Sequence, residues 1–478
     1  DEWSGDLKLE YVINRDSKIT GLHQTVEQDD VWRTHATIYG KSWEGTSIGN
    51  DREQLYDQKR RLTYIQYQGG EPLFFLDQLK VNLSYQVNEE ERFRVRSNGK
   101  SEIQGFDVKT IGAWFQADKR TSLGKWTYGA EFYRDDVGSF QRNYRANGSL
   151  DKVEIQGPVA DDATYDLSGI YCQDDVQALR SVDLILGARY SYFKADARKV
   201  RNPLDGSAMS ISGRWDSFVG SLRALFRAGK ESTHVFFGGV SQGFRAPNLS
   251  DLTRFDTARS NEIEIASPGL APEKFITYEA GFKTEQDRLA AQVSYFYTSI
   301  EDMIIRVPTG TMIDDTYEVT KMNSGYGYVH GAEISVTLTI LEQLRLSGSL
   351  GWLDGLIEGF PASTSQSAKE PISRLMPAMG QLAARWESDR KGYWLETCLS
   401  AADRQDELSA SDRLDTQRIP PGGTPGYAAF DLRGGWRIGT HVEISAAIEN
   451  IANEDYRIHG SGLNEPGRNV VIGVSCGF

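Results

Sequence analysis

Apolar and polar residues alternate along most of this chain. Leu344, Leu346, Gly348, Leu350 and Trp352 share one face, and Arg345, Ser347, Ser349 and Gly351 the other. Ala332, Ile334, Val336, Leu338 and Ile340 oppose Glu333, Ser335, Thr337 and Thr339 in the same way. Successive side chains of a strand point to opposite sides, so period two predicts two-faced strands. We expect strands near 5–14, 17–27, 59–69, 76–86, 107–117, 125–134, 165–175, 181–194, 215–226, 233–242, 275–285, 288–300, 327–340, 344–353, 378–388, 392–401, 428–437, 441–451 and 469–478. No stretch shows convincing helical periodicity.

Connections alternate short and long. Short ones include 119–124, 286–287 and 438–440; long ones include 135–164, 243–274, 301–326, 354–377 and 402–427. Alternating runs of about 10 residues suit tilted strands crossing a bilayer. Aromatics gather at strand ends (Tyr295, Tyr297, Trp352, Trp386, Tyr393, Trp394, Trp436), as in interfacial girdles. The expected fold is all-β: an antiparallel, up-and-down transmembrane β-barrel with short turns on one rim and long loops on the other. A propeller repeat of about 40–45 residues is not found.

Composition narrows the partners. A net charge of −14 argues against nucleic acid, which needs a basic face. No segment approaches the roughly 18 apolar residues of a membrane helix. The start, "DEWSGDLKLEYVIN", has neither a basic n-region nor an apolar h-region, so no signal peptide is expected in this stretch. Cys172, Cys398 and Cys476 are odd in number and widely spaced, against a disulfide framework or a zinc site. No metal site and no cofactor are expected. The register sends Cys476 toward lipid and Cys398 to the lumen with Glu396; the facing of Cys172 stays open.

The last strand, "RNVVIGVSCGF", alternates to a terminal Phe478 with Gly473 upstream. It resembles the C-terminal assembly signal read by the outer-membrane barrel insertion machinery. That places the short turns in the periplasm and the long loops outside.

Five motifs then occur in order: "GFRAPNLSDL" with "LAPEKFITYEAGFK", "HGAEISV", "IPPGGTPGYAAFDLRGGW" and "ENIANEDYRIHGSGLNEPGRNV". Together they resemble the TonB-dependent outer-membrane receptor family. The resemblance implies a bacterial outer-membrane importer of a scarce small nutrient, energised by TonB. Phe244, Arg245, Pro247, Glu279, Glu333, Arg468 and Phe478 are its motif residues, and we expect them to be mainly structural. Pro247 cannot continue a ladder, and Arg245 can hold a loop or plug through bidentate contacts. Such receptors fill a barrel of about 22 strands with an N-terminal plug. Here 19 strands are counted and nothing resembles the plug, so residues 1–478 are expected to be the barrel without the plug and first few strands.

The ligand is harder to read. "SPGL" stands where a haem receptor would carry its second motif, and no histidine intervenes, which disfavours haem. Arg254, Asp256, Arg259 and Glu262 in one loop, and Arg404 and Arg413 in another, are candidates to hold an anionic chelate such as a ferric siderophore. Tyr144 and Trp43 could stack on it. Solvated loop charge and ordinary loop packing are the plainer readings of these residues. Acidic loop clusters could also hold calcium. The alternative function is a passive porin without a plug. An enzyme is not expected, since no nucleophile motif or histidine constellation is present.

Overall fold

The computed structural model describes residues 1–70, 75–229, 233–259, 262–313, 316–323, 325–360, 366–388 and 392–477. The chain opens with β1 (Glu2–Asn14), β2 (Ser17–Trp32), β3 (Glu53–Gly69), β4 (Gln78–Val95), β5 (Ser101–Arg120) and β6 (Lys125–Tyr144). A short β7 (Leu150–Val153) adds to the end of β6. Next come β8 (Asp161–Leu179), β9 (Val182–Arg201), β10 (Ala208–Ala228) and β11 (His234–Arg245). The loop that follows carries α1 (Leu249–Thr253), β12 (Asp256–Arg259) and β13 (Glu262–Glu264). After β14 (Glu273–Glu285) and β15 (Leu289–Glu301), β16 (Ile304–Ile313) and β17 (Thr316–Asn323) form a hairpin outside the wall. The chain ends with β18 (Gly327–Leu341), β19 (Leu344–Gly359), a short β20 (Ala368–Pro371), β21 (Met379–Glu387), β22 (Tyr393–Ala402), α2 (Ala410–Leu414), β23 (Tyr427–Ile438), β24 (Val442–Glu449) and β25 (Asn469–Cys476).

One sheet holds 21 of these strands, and setting aside the short β7 and β20 leaves nineteen in an antiparallel meander. Each coincides with a strand expected from period two. Among the described residues, β1 pairs with β2 and β25 with β24, and no ladder joins β1 to β25.

The faces follow the alternation. Ile65, Leu83, Ile111, Phe132 and Ile170 stand on neighbouring strands in positions facing away from the lumen, and all are exposed. Val470, Ile472 and Val474 continue this band on β25. Cys476 and Cys172 share the outward face, and Cys398 is buried on the lumen side. Phe478 lies outside the described residues.

One expectation needs correction. Residues 135–164 are mostly strand, because β6 continues to Tyr144 and β8 begins at Asp161. Period two persists there, but Arg134 and Asp136 take outward positions, so a membrane-length reading stops too early. The long rim also has its own small core. Ala163, Ala195, Ala197, Val200 and Ile211 from the extended strands, with Ala160 just before β8, pack with Leu249, Leu252, Ala266 and Leu270 of the loop after β11.

Candidate functional site

The loop after β11 is built by its polar residues. Pro247 is fully buried, and its carbonyl accepts the Tyr165 hydroxyl at 3.0 Å. Asn248 caps α1: its side chain accepts the Asp251 N–H, and the Asp251 carboxylate accepts the Asn248 N–H, a reciprocal capping box. Phe244 packs on Phe193 with ring centroids 5.7 Å apart.

Arg245 joins the two ends of this loop. Its guanidinium binds Asp251 at 2.7 Å and also Glu273, both buried carboxylates. Lys321 of β17 reaches Asp251 at 3.0 Å and Glu264 at 2.9 Å, and Arg306 of β16 reaches Glu264 at 2.8 Å. Burial alone would raise the Asp251 carboxyl. Lys321, Arg245 and the Asn248 N–H outweigh it and hold the group below the ordinary aspartate range. β13 also pairs in parallel with β17, so the two longest loops form one four-stranded external sheet.

Below this sheet is a cavity of about 680 Å3. Val31 and Trp32 end β2 on one side, and Tyr56, Gln58, Glu90, Arg92, Gln104 and Phe106 line it from β3, β4 and β5. Ser250, Arg254 and Asp256 come from the α1 loop, and Ser461, Gly462 and Leu463 from the last external loop. Arg92 is buried between Glu102 at 2.8 Å and Asp256 at 3.4 Å. Arg33 lies over the Tyr56 ring, 5.6 Å from its centroid.

Behind Arg33 the wall is strongly cationic. Arg374, Arg418 and Arg457 arrive from three other external loops and surround His35, whose ring packs closely on Gly462. Burial first, then Arg418, Arg33, Arg457 and Arg374, pull the His35 imidazole down to about 4, so it is neutral at pH 7. Asp415 partly compensates, pairing with Arg374 and lying 3.6 Å from Arg418. Arg374 sits at φ 64 and hydrogen-bonds the Gly460 carbonyl at 2.5 Å. Its backbone is held in a sparsely populated region by these contacts. Among the described residues, no group of three or more His, Cys, Asp and Glu is placed to hold a metal ion.

The structure separates the expected ligand candidates. Arg254 and Asp256 line the cavity. The backbone of Arg259 lies in β12, and Glu262 is buried in β13. Arg404 binds the Gly422 carbonyl at 2.8 Å, and Arg413 binds that of Leu408 at 2.6 Å, both within their own loop. Trp43 is buried beneath the Arg457 guanidinium, 5.0 Å from the ring centroid. Tyr144 is a strand residue rather than a loop residue, and it faces outward beside Ser101 and Leu150. Among the motif residues, Glu279 pairs with Arg223 at 2.6 Å across Gly239 of β11. Glu333 faces a lumen recess of small polar residues including Ser294 and Ser349. Arg468 binds the Ile451 carbonyl at 2.9 Å and braces the turn before β25.

Sequence reading missed Trp32, Arg33, His35, Tyr56 and Arg92. Tyr56 and Arg92 fall outside the strands expected near 59–69 and 76–86, and no local signal brought them to one cavity.

A family model described as "TonB dependent receptor-like, beta-barrel" matches residues 7–451. The chain belongs to this family. It is a β-barrel of the bacterial outer membrane, in a family of receptors and transporters rather than enzymes. An iron-regulated outer membrane virulence protein of Vibrio cholerae is 26% identical over 254 residues, taking in 50% of this chain and 37% of that relative. The matched stretch is thus little more than a third of the relative's length. The copper transporter OprC superposes with a TM-score of 0.79 at 16% identity, covering 100% of this chain and 72% of that one. The siderophore receptor PiuA from Acinetobacter baumannii gives 0.74 at 13% identity, covering 99% and 74%. At such identities these two establish the fold. In this TonB-dependent receptor barrel, the Arg245 and Pro247 motif fastens external loops together.

Proposed function

We propose that residues 1–478 form the barrel domain of an importer that captures a small anionic metal chelate at its external cavity. A ferric siderophore-like compound fits best. The observation that carries this reading is the cavity itself. Arg33, Arg92 and Arg254 supply fixed positive charge, and Tyr56 and Phe106 supply flat apolar faces. Charge-assisted bonds from guanidinium groups suit carboxylate, catecholate or hydroxamate oxygens. The names of the similar proteins, which include iron, siderophore and copper receptors, support a metal-linked cargo.

TonB coupling through a plug domain is part of the same proposal. The test is uptake of labelled ferric chelates by cells carrying the full-length protein, with and without TonB. Uptake that needs TonB and falls in an Arg33→Ala, Arg254→Ala variant supports the reading. Flux indifferent to both would favour a passive porin instead.

A further inference from the structure

The external cavity continues downward along the inner wall. A second cavity of about 420 Å3 lies against β2, β3 and β4, and Gln58, Glu90 and Phe106 line both. Arg60 lines the lower one. β3 runs from the long-loop rim toward the short-turn rim, and Arg60 stands four residues below Tyr56 on its lumen face, roughly 13 Å along the strand. The next residue, Arg61, faces outward and pairs with Glu89 at 3.0 Å. The apolar belt that suits lipid begins lower, at Ile65 and Leu83. Arg60 therefore marks the floor of the external vestibule. Below it the lumen face of β3 carries no charge, only Leu62, Tyr64, Gln66 and Gln68.

The partners of Arg60 set it apart. Its Nε and Nη2 donate to Gln86 Oε1 at 3.2 and 3.1 Å, and its Nη1 donates to Gln24 Oε1 at 3.0 Å. The two glutamines stand opposite Leu62 on β4 and β2, so the guanidinium is clamped from both sides. Both partners are neutral, and among the described residues no carboxylate pairs with Arg60. Other lumen arginines are neutralised: Arg223 by Glu279 at 2.6 Å, Arg385 by Glu396 at 3.2 Å, Arg433 by Asp431 at 2.9 Å. A neutral clamp fixes the fork without cancelling its charge, and N–H groups of the fork are left for an incoming oxygen. Holding so long a side chain costs rotamer entropy. A charge that served solvation alone would need no clamp.

We propose that Arg60 is a second station for the anionic metal chelate, which it binds through carboxylate, catecholate or hydroxamate oxygens after the chelate leaves Arg33 and Arg92. This rests on the importer reading above and adds a step to it. Glu90, tied to Gln58 Nε2 at 2.6 Å, lies between the two cationic levels and keeps them separate sites. A fixed cation on either side of Glu90 lowers the electrostatic barrier to carrying an anion past it. The chelate crosses the vestibule in two short transfers, and the second ends where the lipid belt begins.

The test measures binding and uptake of radioiron complexes of citrate, catechol and acetohydroxamate by cells carrying the full-length protein, with and without TonB. For a complex that the unaltered protein imports, Arg60→Gln should leave binding to energy-depleted cells unchanged and slow TonB-dependent uptake about tenfold or more, the weight of one charge-assisted bond. Arg60→Lys keeps the charge without the fork and should restore most of the rate. Arg61→Gln removes the outward-facing neighbour and should change neither measurement. All three variants should keep the heat-modifiable folded form. Uptake by Arg60→Gln at the unaltered rate would overturn the proposal, as would a loss of binding equal to the loss of uptake. A failure of Arg60→Lys to restore the rate would make Arg60 a structural clamp, and leakage of the complex without TonB would make it a plug contact; either result would also overturn it. If the unaltered protein shows no TonB-dependent uptake of any complex, the importer reading falls and the station with it, whereas the other results remove the station alone.

Discussion

Arg92 and Asp256 are 164 residues apart in sequence, and their side chains meet 3.4 Å apart at the cavity wall. This pair fastens the four-stranded external sheet, through β12, to the inner face of β4. It also leaves Arg92 facing the cavity while Glu102 balances it from behind at 2.8 Å.

Arg92→Met should therefore act on both cavity and loop. Removing one partner of a buried pair typically costs about 3–5 kcal/mol. Here Arg94 and Arg96 still serve Glu102, at 3.7 and 2.8 Å, so the low end of that range applies. The expected result is faster proteolysis of the 246–272 loop and weaker chelate binding. Asp256→Asn should loosen the loop but keep the cavity's positive charge, and so weaken binding less. Equilibrium binding alongside limited proteolysis would check the order.

Arg245→Ala should be more severe for the loop. It abandons Asp251 and Glu273 in buried positions, a change worth roughly 3 kcal/mol or more. Lys321 keeps a hold on Asp251, so the β16–β17 hairpin should outlast the α1 turn. Arg245→Lys should rescue only in part, because a shorter ammonium lacks the planar fork that sends separate N–H groups to Asp251 and Glu273. Hydrogen exchange of 248–273 against that of the barrel strands is the measurement, and unchanged protection would contradict it.

His35 predicts a pH dependence. Its folded value of about 4 is below the ordinary histidine value of 6.5, so between these limits the unfolded chain binds more protons. The stability contributed by neutral His35 is fully present above pH 6.5 and is lost progressively as pH falls toward 4. Below that the penalty is constant. His35→Gln should flatten this part of a thermal-melting profile of the purified receptor. A profile that keeps its slope would assign it to other groups.

The two faces of β19 should differ in tolerance. Leu350→Arg places a cation toward lipid, at a cost of about 2–4 kcal/mol if near the bilayer midplane. Ser349→Arg points into the lumen beside Glu333 and should assemble normally. Folded fraction after urea titration in lipid vesicles would show the contrast, and equal losses would reject the facing.

Period two was enough to locate nineteen wall strands, because a wall with lipid on one side and a channel on the other forces that alternation on every strand. It also set the facing of Cys398 and Cys476. Pro247 just past the end of β11 was legible as a strand stop, since a residue without an N–H cannot continue a ladder. The cavity was not legible. Arg254 and Asp256 could be suspected from loop charge, but Arg33, His35, Tyr56 and Arg92 come from other strands and loops. Trp43 and Tyr144 looked equally available as loop aromatics, and one is buried under Arg457 while the other faces outward. Alternation is dictated by each strand's own surroundings, so the sequence alone determined the wall. Which charges meet across the rim depends on how long loops fold back over one another. That is a matter of non-local contacts, and only the tertiary structure decided it.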